Sequence, residues 1–429
     1  MLIITYYWPP SGGSPVLRWL KFVKYLHKFG WEVTVYTPAN PEPQAVDETL
    51  LEEIPEGVHV IKKKIREPYA IFKRILGKPK GKSIATAFIS DSNSRSLLNE
   101  LLVWVRGNFF IPDARKFWIK PSVRYLSKYL KQFPHHVMVS TGPPHSMHLI
   151  AQGIKSKTGI PWLADFRDPW TNIDYYSQLK LTQRADRKHH QLESDVIRNA
   201  DAIVTVSPTM TKEYKEMGSS SVHTITNGFD VLPGKKEKEL NHTIFSILHV
   251  GSMPESRNPK LLWKVLGKFT GEASENAGKL RIELIGHIDF SIIESLKANG
   301  LEGFYTKYDY LPNREVLLKM TQASVLLLVI NNTQNATGIL TNKFFEYLSA
   351  KRPILAIGPT NGDAAEIINM TRAGKIFDYK DEKGMDIYLH ELISDFNQRT
   401  LKVDPKNIDT FSRRNLTSSL AKLLDSLAK

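Results

Sequence analysis

The sequence predicts an α/β protein with two doubly wound parallel sheets, and three observations lead to this fold class. Short apolar runs alternate with amphipathic helical segments along most of the 429 residues, which is the pattern of parallel strands joined by helices. The alternation falls into two series, separated by a polar stretch at residues 234–242. Each series places a glycine-containing turn directly after its first strand. We therefore expect two Rossmann-like domains that face a cleft.

The first series opens with a β-α-β unit. Residues 2–6 form the predicted strand, residues 17–29 the helix, which ends at Gly30, and residues 32–36 the next strand. A glycine-rich turn between the first strand and its helix is typical of the opening of a doubly wound sheet. Further strands are predicted at 58–62, 137–140, 162–165, 202–206 and 223–225.

The second series starts near residue 243 with an apolar strand at 245–250, which a helix at 260–269 follows. Further strands are predicted at 281–285, 324–330 and 353–357, and further helices at 315–322 and 342–350. The polar stretch between the two series has the composition of a linker. We expect an N-terminal domain over 1–236, a C-terminal domain over 237–408, and a terminal helix in 409–429 that packs back toward the N-terminal domain.

The composition excludes several kinds of chemistry. The chain has no cysteine, which excludes cysteine nucleophiles, thiolate metal sites and disulfides. It has no Asp-x-Asp motif, and its histidine pairs lack matching carboxylates, so we expect neither a metal nor any other cofactor. No run of 18 apolar residues is present, and the N-terminal residues lack the basic leader of a signal peptide. The expected location is the cytoplasm, with a peripheral position on the inner face of the cell membrane as an option.

The charge is strongly asymmetric. The net charge is +14, and residues 51–150 carry 17 Lys and Arg against 7 Asp and Glu. Such a bias indicates either an anionic partner or a solvated basic face. Within residues 62–133, basic residues are interleaved with large apolar ones such as Trp104, Phe109 and Phe110. These aromatics either fill a core or, over residues 62–120, lie on an anionic membrane surface. We do not expect nucleic acid as a partner, because the excess charge is confined to one domain.

Two glycines, Gly12 and Gly13, follow the first strand. They would let the backbone approach a ligand closely, and the next helix offers free N–H groups to an anion. Arg18, one turn into that helix, could add positive charge. The alternative for this segment is a plain tight turn.

Polar side chains also follow two later strands of the first series. His145 lies in the loop after one strand, and Asp165, Arg167 and Asp168 follow another. Open α/β sheets bind their ligands at these carboxyl ends of the strands. We take these four residues as the catalytic candidates. An Asp-Arg-Asp cluster can also be a structural salt-bridge network, and that alternative stays open here.

The second series offers a site for phosphate. Gly251 and Ser252 follow its first strand, and Arg257 is placed to meet an anion. Near residue 341 a helix begins whose free N–H groups can bind a phosphate, and a glutamate one turn in can accept both hydroxyls of a ribose. An ordinary exposed glutamate is the alternative. The candidates for this phosphate and ribose site are Thr341, Asn342, Lys343 and Glu346.

Taken together, these motifs resemble family-4 glycosyltransferases of the GT-B fold, a group that includes many bacterial envelope polysaccharide enzymes. The resemblance covers nearly the whole chain. Its markers are residues 9–13 with Arg18, 30–37, 200–207, 225–230, Gly251 and 343–353. Residues 143–146 and 165–170 resemble a bacterial branch of that family.

The resemblance implies a retaining, metal-independent, hexosyltransferase-type enzyme. A nucleotide-sugar donor would be held mainly by the C-terminal domain, and a glycan or lipid-linked acceptor mainly by the N-terminal domain. Glu346 would bind the ribose, and His145 would lie near the reacting sugar. Two positions depart from the family pattern: Gly338 stands where the family has the first of two glutamates, and Ser252 stands where it has an arginine. These departures bear on the identity of the donor sugar.

Two other functional classes fit the same architecture. A nucleotide-sugar 2-epimerase shares the two Rossmann-like domains, although it would leave the aromatic and basic stretch without a purpose. A non-catalytic protein that binds an anionic ligand would account for the charge. Its weakness is that the phosphate-type loops lie in the more nearly neutral half of the chain.

Overall fold

The computed structural model describes residues 1–42, 45–67, 97–230, 243–270, 278–309 and 311–429. Two compact units make up the chain, Met1–Thr226 with Arg413–Lys429, and Asn227–Ser412. Each unit contains one parallel sheet with helices, so the predicted α/β class with two sheets is confirmed. The predicted linker at 234–242 and the predicted domain boundary at 236/237 lie outside the described residues.

The first unit contains a seven-stranded parallel sheet in the order β3-β2-β1-β4-β5-β6-β7. Its strands are β1 Leu2–Ile4, β2 Thr34–Pro38, β3 His59–Lys63, β4 Met138–Gly142, β5 Trp162–Phe166, β6 Ala202–Thr205 and β7 Val222–Thr224. Its helices include α1 Ser14–Leu26, α2 Leu97–Phe109, α3 Lys116–Gln132, α4 Ser146–Thr158, α5 Gln183–Asn199 and α6 Pro208–Glu216. Successive strands are added on one side of β1 up to β3 and on its other side from β4 onward. A ligand is therefore expected at the carboxyl ends of β1 and β4, where the order reverses.

The central strands of this sheet are buried and mostly apolar because helices cover both faces. Strands β1, β4 and β5 are buried along their whole length. Gly13 directly precedes α1 with a φ of 88°, a left-handed conformation that favours glycine. The chain therefore turns sharply from β1 into α1 and brings the start of that helix to the end of the sheet.

The second unit contains a six-stranded parallel sheet in the order β10-β9-β8-β11-β12-β13. Its strands are β8 Phe245–Val250, β9 Leu280–Ile285, β10 Tyr305–Tyr308, β11 Val325–Val329, β12 Ile354–Ile357 and β13 Gly374–Phe377. Its helices are α7 Lys260–Lys268, α8 Phe290–Ala298, α9 Asn313–Gln322, α10 Asn342–Ala350, α11 Asp363–Thr371 and α12 Glu382–Asn397. In the described ranges, no helix has the length and apolar composition that crossing a membrane requires.

The last helix, α13 Arg413–Leu427, belongs to the first unit and packs on α1. Leu416, Leu420 and Leu424 recur every four residues and are buried, which gives the helix one apolar face. At its start, the Arg413 guanidinium donates to the Leu17 carbonyl at 3.2 Å. The helix is thus held by apolar packing along its length and by a charged donor at its first turn.

A buried ion pair lies at the centre of the first unit. Arg18 on α1 is 3% exposed and Asp165 on β5 is fully buried. The Arg18 Nη2 atom lies 2.9 Å from Asp165 Oδ1. The same guanidinium donates to the carbonyls of Ile225 at 2.7 Å and Thr226 at 2.9 Å. The pair therefore joins α1 and β5 to the last residues before the chain enters the second unit.

The protonation state of Asp165 follows from its surroundings. Burial alone would raise the pKa of this carboxyl group, but the charge of Arg18 outweighs that effect. Hydrogen bonds from Arg18, Trp19 and Thr141 add to it, and the net pKa lies below its ordinary value. Because the folded-state pKa is depressed, the stabilisation is complete at neutral pH and is lost only as the pH falls below about 4.

We predict that Asp165→Asn destabilises the first unit, because it leaves the Arg18 charge buried and unpaired. The free energy of unfolding should fall by about 3–5 kcal/mol, the usual cost of breaking a buried pair. Urea denaturation at pH 7 measures the change. Glu100→Gln, which removes one partner of the exposed Lys180 pair, is the control and should leave the denaturation midpoint unchanged. Equal midpoints for both variants would contradict a structural role for the buried pair.

Candidate functional site

In the first unit, His145 lies immediately before α4 and is 8% exposed. Its imidazole stacks on the indole of Trp170, with ring centroids 4.5 Å apart and planes 5° apart. Burial is the main reason that the pKa of His145 lies well below its ordinary value, and His148, His189 and Arg167 add to the shift. His145 is therefore a neutral imidazole near pH 7, suited to accept or donate one hydrogen bond or proton.

A second imidazole, that of His148, lies beside the first. Its Nδ1 atom is 2.8 Å from the Ser140 hydroxyl, which in turn accepts a hydrogen bond from Trp162 Nε1 at 2.8 Å. Burial lowers the pKa of His148 to about 3, so this ring is also neutral. A Cβ atom on Gly142 would lie 2.5 Å from His148 Nε2 and 3.1 Å from His145 Nδ1. Only glycine at this strand end leaves room for both rings.

The three charged candidates at the end of β5 and in the loop after it have different environments. Asp165 is fully buried, and its oxygens accept from Arg18, from Trp19 Nε1 at 2.7 Å and from Thr141 Oγ1 at 2.8 Å. Such a carboxylate holds neighbouring elements together. These contacts favour the structural alternative for Asp165, and its catalytic role stays a prediction.

Arg167 and Asp168 lie nearer to the surface. Arg167 Nη1 donates to the Pro15 carbonyl at 2.7 Å, and the same guanidinium donates to the Gly142 and Pro143 carbonyls. Arg167 thus links the start of α1 to the turn that precedes His145. Asp168 is exposed. Among the four candidates, Asp168 is an exposed residue, although desolvation by the surrounding protein raises the pKa of its carboxyl group, and His145 offers a stacked neutral imidazole.

The backbone of the first turn is partly engaged in contacts within the first unit. The Gly12 N–H donates to the Ala45 carbonyl at 2.8 Å, and Gly12 itself is buried. A Cβ atom there would lie 3.1 Å from Asp47 Cβ, so glycine allows close packing between two loops. These contacts favour the plain tight turn at Gly12, and its contact with the donor stays a prediction. Gly13 is exposed before α1, where the helix N-terminus begins, and it stays a candidate.

In the second unit, the Lys343 ammonium lies directly over the backbone of Gly251, the residue that follows β8. A Cβ atom at Gly251 would come within 1.7 Å of Lys343 Nζ, and Gly251 has a φ of 108°. Burial and the nearby charge of Arg257 lower the pKa of Lys343 to about 8, although Glu346 opposes the shift. The position therefore combines a glycine-only backbone with two cations, which is suited to a phosphate group.

Arg257 is held beside this cation. Its Nη1 atom donates to the Ser252 carbonyl at 3.1 Å, and its Nε donates to the Asn331 side-chain oxygen. Ser252 thus contributes a backbone carbonyl that orients the arginine. The predicted neighbours Gly251, Ser252, Arg257 and Lys343 do come together at the end of β8, because β8 lies next to β11 and α10 begins close by.

Sequence analysis missed two residues that lie beside this site, His249 and Tyr347. His249, on β8, is 3% exposed and donates from Nδ1 to the Leu327 carbonyl, 3.1 Å away. Burial, with the charges of Lys343 and Arg257, lowers its pKa to about 3. Tyr347 accepts from the Val250 N–H at 2.9 Å. A histidine within an apolar strand, directly before a glycine turn, is the signal that could have identified the first of them.

The start of α10 completes the cationic site. Thr341 precedes the helix with extended backbone angles, and its buried hydroxyl makes no hydrogen bond with the part of the chain that the structure describes. Asn342 is the first helical residue, and Lys343 follows it. Glu346 lies one turn into the helix and is half-buried. Lys343 and the positive end of the helix dipole carry positive potential toward Gly251, and Glu346 lies one turn behind.

Comparisons with known proteins give one family match and a set of structures with a similar fold. A family model described as Glycosyltransferase Family 4 matches residues 83–231. No curated protein sequence matches the chain. Among solved structures, the fold is similar to that of sucrose-phosphate synthase from Thermosynechococcus elongatus, at 12% identity and a TM-score of 0.64 over 99% of this chain and 98% of that one.

Two further structures have the same fold. HepE of Anabaena in complex with UDP and glucose is 13% identical with a TM-score of 0.60, and 99% of each chain is covered. WaaG, a glycosyltransferase involved in lipopolysaccharide biosynthesis, is 13% identical with a TM-score of 0.57, and 99% of each chain is covered. The chain therefore has the GT-B fold, and the family match supports a family-4 type of glycosyltransferase.

We predict that binding of a nucleoside diphosphate weakens above pH 8. Lys343 is charged below its pKa of about 8 and neutral above it, so at higher pH the lysine must take up a proton when the anion binds. The dissociation constant should rise by up to about tenfold per pH unit above that point. Isothermal titration calorimetry with UDP between pH 7 and 9.5 measures it.

Two variants test the assignment of that pH dependence. Lys343→Met should weaken binding at pH 7 by about tenfold or more, the value of a charged hydrogen bond, and should remove the pH dependence. Lys264→Met, which changes an exposed lysine on α7, should keep the wild-type profile. An unchanged profile in Lys343→Met would exclude Lys343 as the titrating group.

Proposed function

We propose that the protein is a retaining, metal-independent glycosyltransferase that moves a sugar from a nucleotide-sugar donor to a glycan or lipid-linked acceptor. The observation that carries the proposal is the cationic site of Gly251, Arg257, Lys343 and the start of α10. Two cations and the positive end of a helix dipole meet a diphosphate without needing a divalent metal.

The chemistry of transfer makes specific demands on this site. As the bond between sugar and diphosphate breaks, positive charge develops on the sugar and negative charge on the leaving group. Arg257 and Lys343 stabilise the leaving diphosphate, and their effect is greatest in the transition state because the charge increases there. Glu346 accepts hydrogen bonds from the ribose hydroxyls. The ribose of the donor is thus held by a carboxylate and its diphosphate by cations.

The first unit supplies the acceptor side of the proposal. His145 positions the reacting sugar or handles a proton, since a neutral imidazole can do either. Asp168 offers an exposed carboxylate for acceptor hydroxyls. The similarity in fold to WaaG, a glycosyltransferase of lipopolysaccharide biosynthesis, supports an acceptor used in bacterial envelope polysaccharide synthesis. HepE, solved with UDP and glucose, supports a hexose donor.

One experiment separates this proposal from its alternatives. The protein is incubated with radiolabelled nucleotide sugars and membrane lipid extract in the presence of EDTA. We expect label in the lipid fraction, with the anomeric configuration of the donor retained. An epimerised free nucleotide sugar would indicate the 2-epimerase alternative, and tight binding without turnover would indicate a binding protein. Loss of transfer in EDTA that a divalent metal restores would contradict the metal-independent mechanism.

We predict that Glu346 recognises the nucleotide through its ribose. Glu346→Ala should weaken UDP binding by roughly 1.5–3 kcal/mol, because a charged hydrogen bond to the hydroxyls is lost. Calorimetry with UDP and with 2′-deoxy-UDP measures the effect, and the variant should bind the two ligands alike. Glu366→Ala on α11 is the matched control and should bind as wild type does. Unchanged UDP affinity in Glu346→Ala would remove this residue from the donor site.

We further propose that the junction of α2 and α3 docks on an anionic membrane. Phe109 is 59% exposed and Phe117 is 54% exposed, an unusual exposure for aromatic side chains. The Lys116 ammonium lies 5.3 Å from the Phe117 ring centroid and 5.6 Å from that of Phe110. Rings that insert between lipids and a cation that meets headgroups form a bilayer-binding surface. Residues 68–96 of the predicted membrane segment lie outside the described residues.

We predict that Phe109→Ser/Phe117→Ser abolishes sedimentation with vesicles that contain phosphatidylglycerol, because the inserting rings are lost. The melting temperature should not fall, since both rings are exposed. Phe290→Ser, which removes a phenylalanine that is 70% exposed in the second unit, is the control and should sediment as wild type does. Equal sedimentation of wild type with anionic and with neutral vesicles would refute the docking surface.

A further inference from the structure

Trp170 sets the plane of the His145 ring. The indole is 3% exposed and lies parallel to the imidazole, with a centroid separation of 4.5 Å. Its own orientation is fixed, because its Nε1–H donates to His189 Nδ1 at 3.1 Å. An aromatic ring held at both its face and its edge cannot turn without breaking one of these contacts. His145 is therefore only as well placed as Trp170.

The backbone at Trp170 is held by a buried carboxylate. Glu193, which is 1% exposed, accepts from the Trp170 N–H at 3.2 Å through Oε1. Its Oε2 accepts from the Thr171 hydroxyl at 2.5 Å, and its Oε1 also accepts from the Tyr214 hydroxyl at 3.2 Å. These partners are donors, so the ionised carboxylate satisfies them best, even though burial raises the pKa of Glu193.

Both attachments come from one face of a single helix. His189 and Glu193 are four residues apart on α5, so their side chains are neighbours on that helix. One holds the indole edge of Trp170 and the other its backbone. The geometry requires α5 and the loop after β5 to keep a fixed distance. None of these contacts involves a group that would meet the donor in the second unit.

We propose that Trp170 and Glu193 are positioning residues for the reaction, which hold the His145 imidazole stacked, dry and neutral. This inference rests on the proposed function, in which His145 acts at the reacting sugar. Three titratable groups face that ring: His148 from α4, His189 from α5 and Arg167 from the loop after β5. All three add positive charge if protonated, which lowers the pKa of His145. Shielding of the ring by Trp170 lowers the same pKa, so the two effects reinforce each other.

The test compares three variants by their kcat, their KM for the nucleotide sugar and their pH profiles. Trp170→Leu removes the stacking ring, so kcat should fall about 10–100-fold, the usual cost of a misplaced catalytic group, while KM changes less than about threefold. Water then reaches the imidazole, and a new acidic limb should appear near the ordinary histidine value of about 6.5. Trp170→Phe keeps a ring for stacking and should restore most of kcat. Glu193→Gln keeps its size and should show a smaller fall in kcat with the same new limb.

Controls and a second readout keep the outcomes distinct. Trp31→Leu makes the same substitution at a tryptophan that bonds Asp425 on α13, and it should keep the wild-type kcat and pH profile. NMR titration of the His145 ring, identified through His145→Asn, reads the inference without turnover. The ring should stay neutral at pH 6 in wild type and become protonated there in Trp170→Leu, or in Glu193→Gln if the first variant does not fold.

These readouts separate two kinds of failure. Absence of transfer by the wild-type protein would contradict the proposed function, and the NMR titration would then decide the positioning role alone. A wild-type protein that transfers sugar, with Trp170→Leu equal to it in kcat and in pH profile, would overturn the positioning role alone. A fall in kcat that Trp31→Leu shares, without a new acidic limb, would show that Trp170 serves stability only.

Discussion

The buried pair of Arg18 and Asp165 is the interaction on which the first unit depends. It connects the first helix, α1, to the central strand β5, and through the Ile225 and Thr226 carbonyls it fixes the end of the first unit's chain. Two opposite charges removed from water tolerate little displacement, because either one alone would be buried without compensation. The loops that follow β4 and β5 therefore start from fixed positions, and His145 and Asp168 lie on those loops.

In the second unit, the buried charge of Lys343 is only partly compensated by the protein itself. Lys343 lies over a glycine backbone with another cation, Arg257, nearby, and its lowered pKa shows that the protein alone stabilises its charge poorly. A buried cation whose charge is only partly compensated gains stability when an anion binds. The first unit thus satisfies its buried charge internally, whereas the second unit holds charge that a ligand can satisfy. This contrast is the physical reason for our proposal that the second unit binds the donor phosphates.

Sequence patterns predicted the fold, but not the partners of individual side chains. The apolar runs of the central strands were sufficient to identify those strands, because they are buried on both faces. The half-exposed edge strands β10 and β13 carry no such run. The sequence could not distinguish the environments of Asp165 and Asp168, because the partner of Asp165, Arg18, lies 147 positions away in the chain. Glu193 was missed for the same reason: its contacts with Trp170 and Tyr214 exist only once α5 packs on the sheet.

The central claim is that the cationic site of the second unit holds a nucleoside diphosphate without a metal. A crystal structure of the protein with UDP, grown in the presence of EDTA, tests it most directly. The account predicts β-phosphate oxygens within hydrogen-bonding distance of Lys343 Nζ and of the Arg257 guanidinium, with the ribose hydroxyls on Glu346. UDP bound instead at the start of α1 beside Gly13, with Lys343 still lying on Gly251, would contradict it.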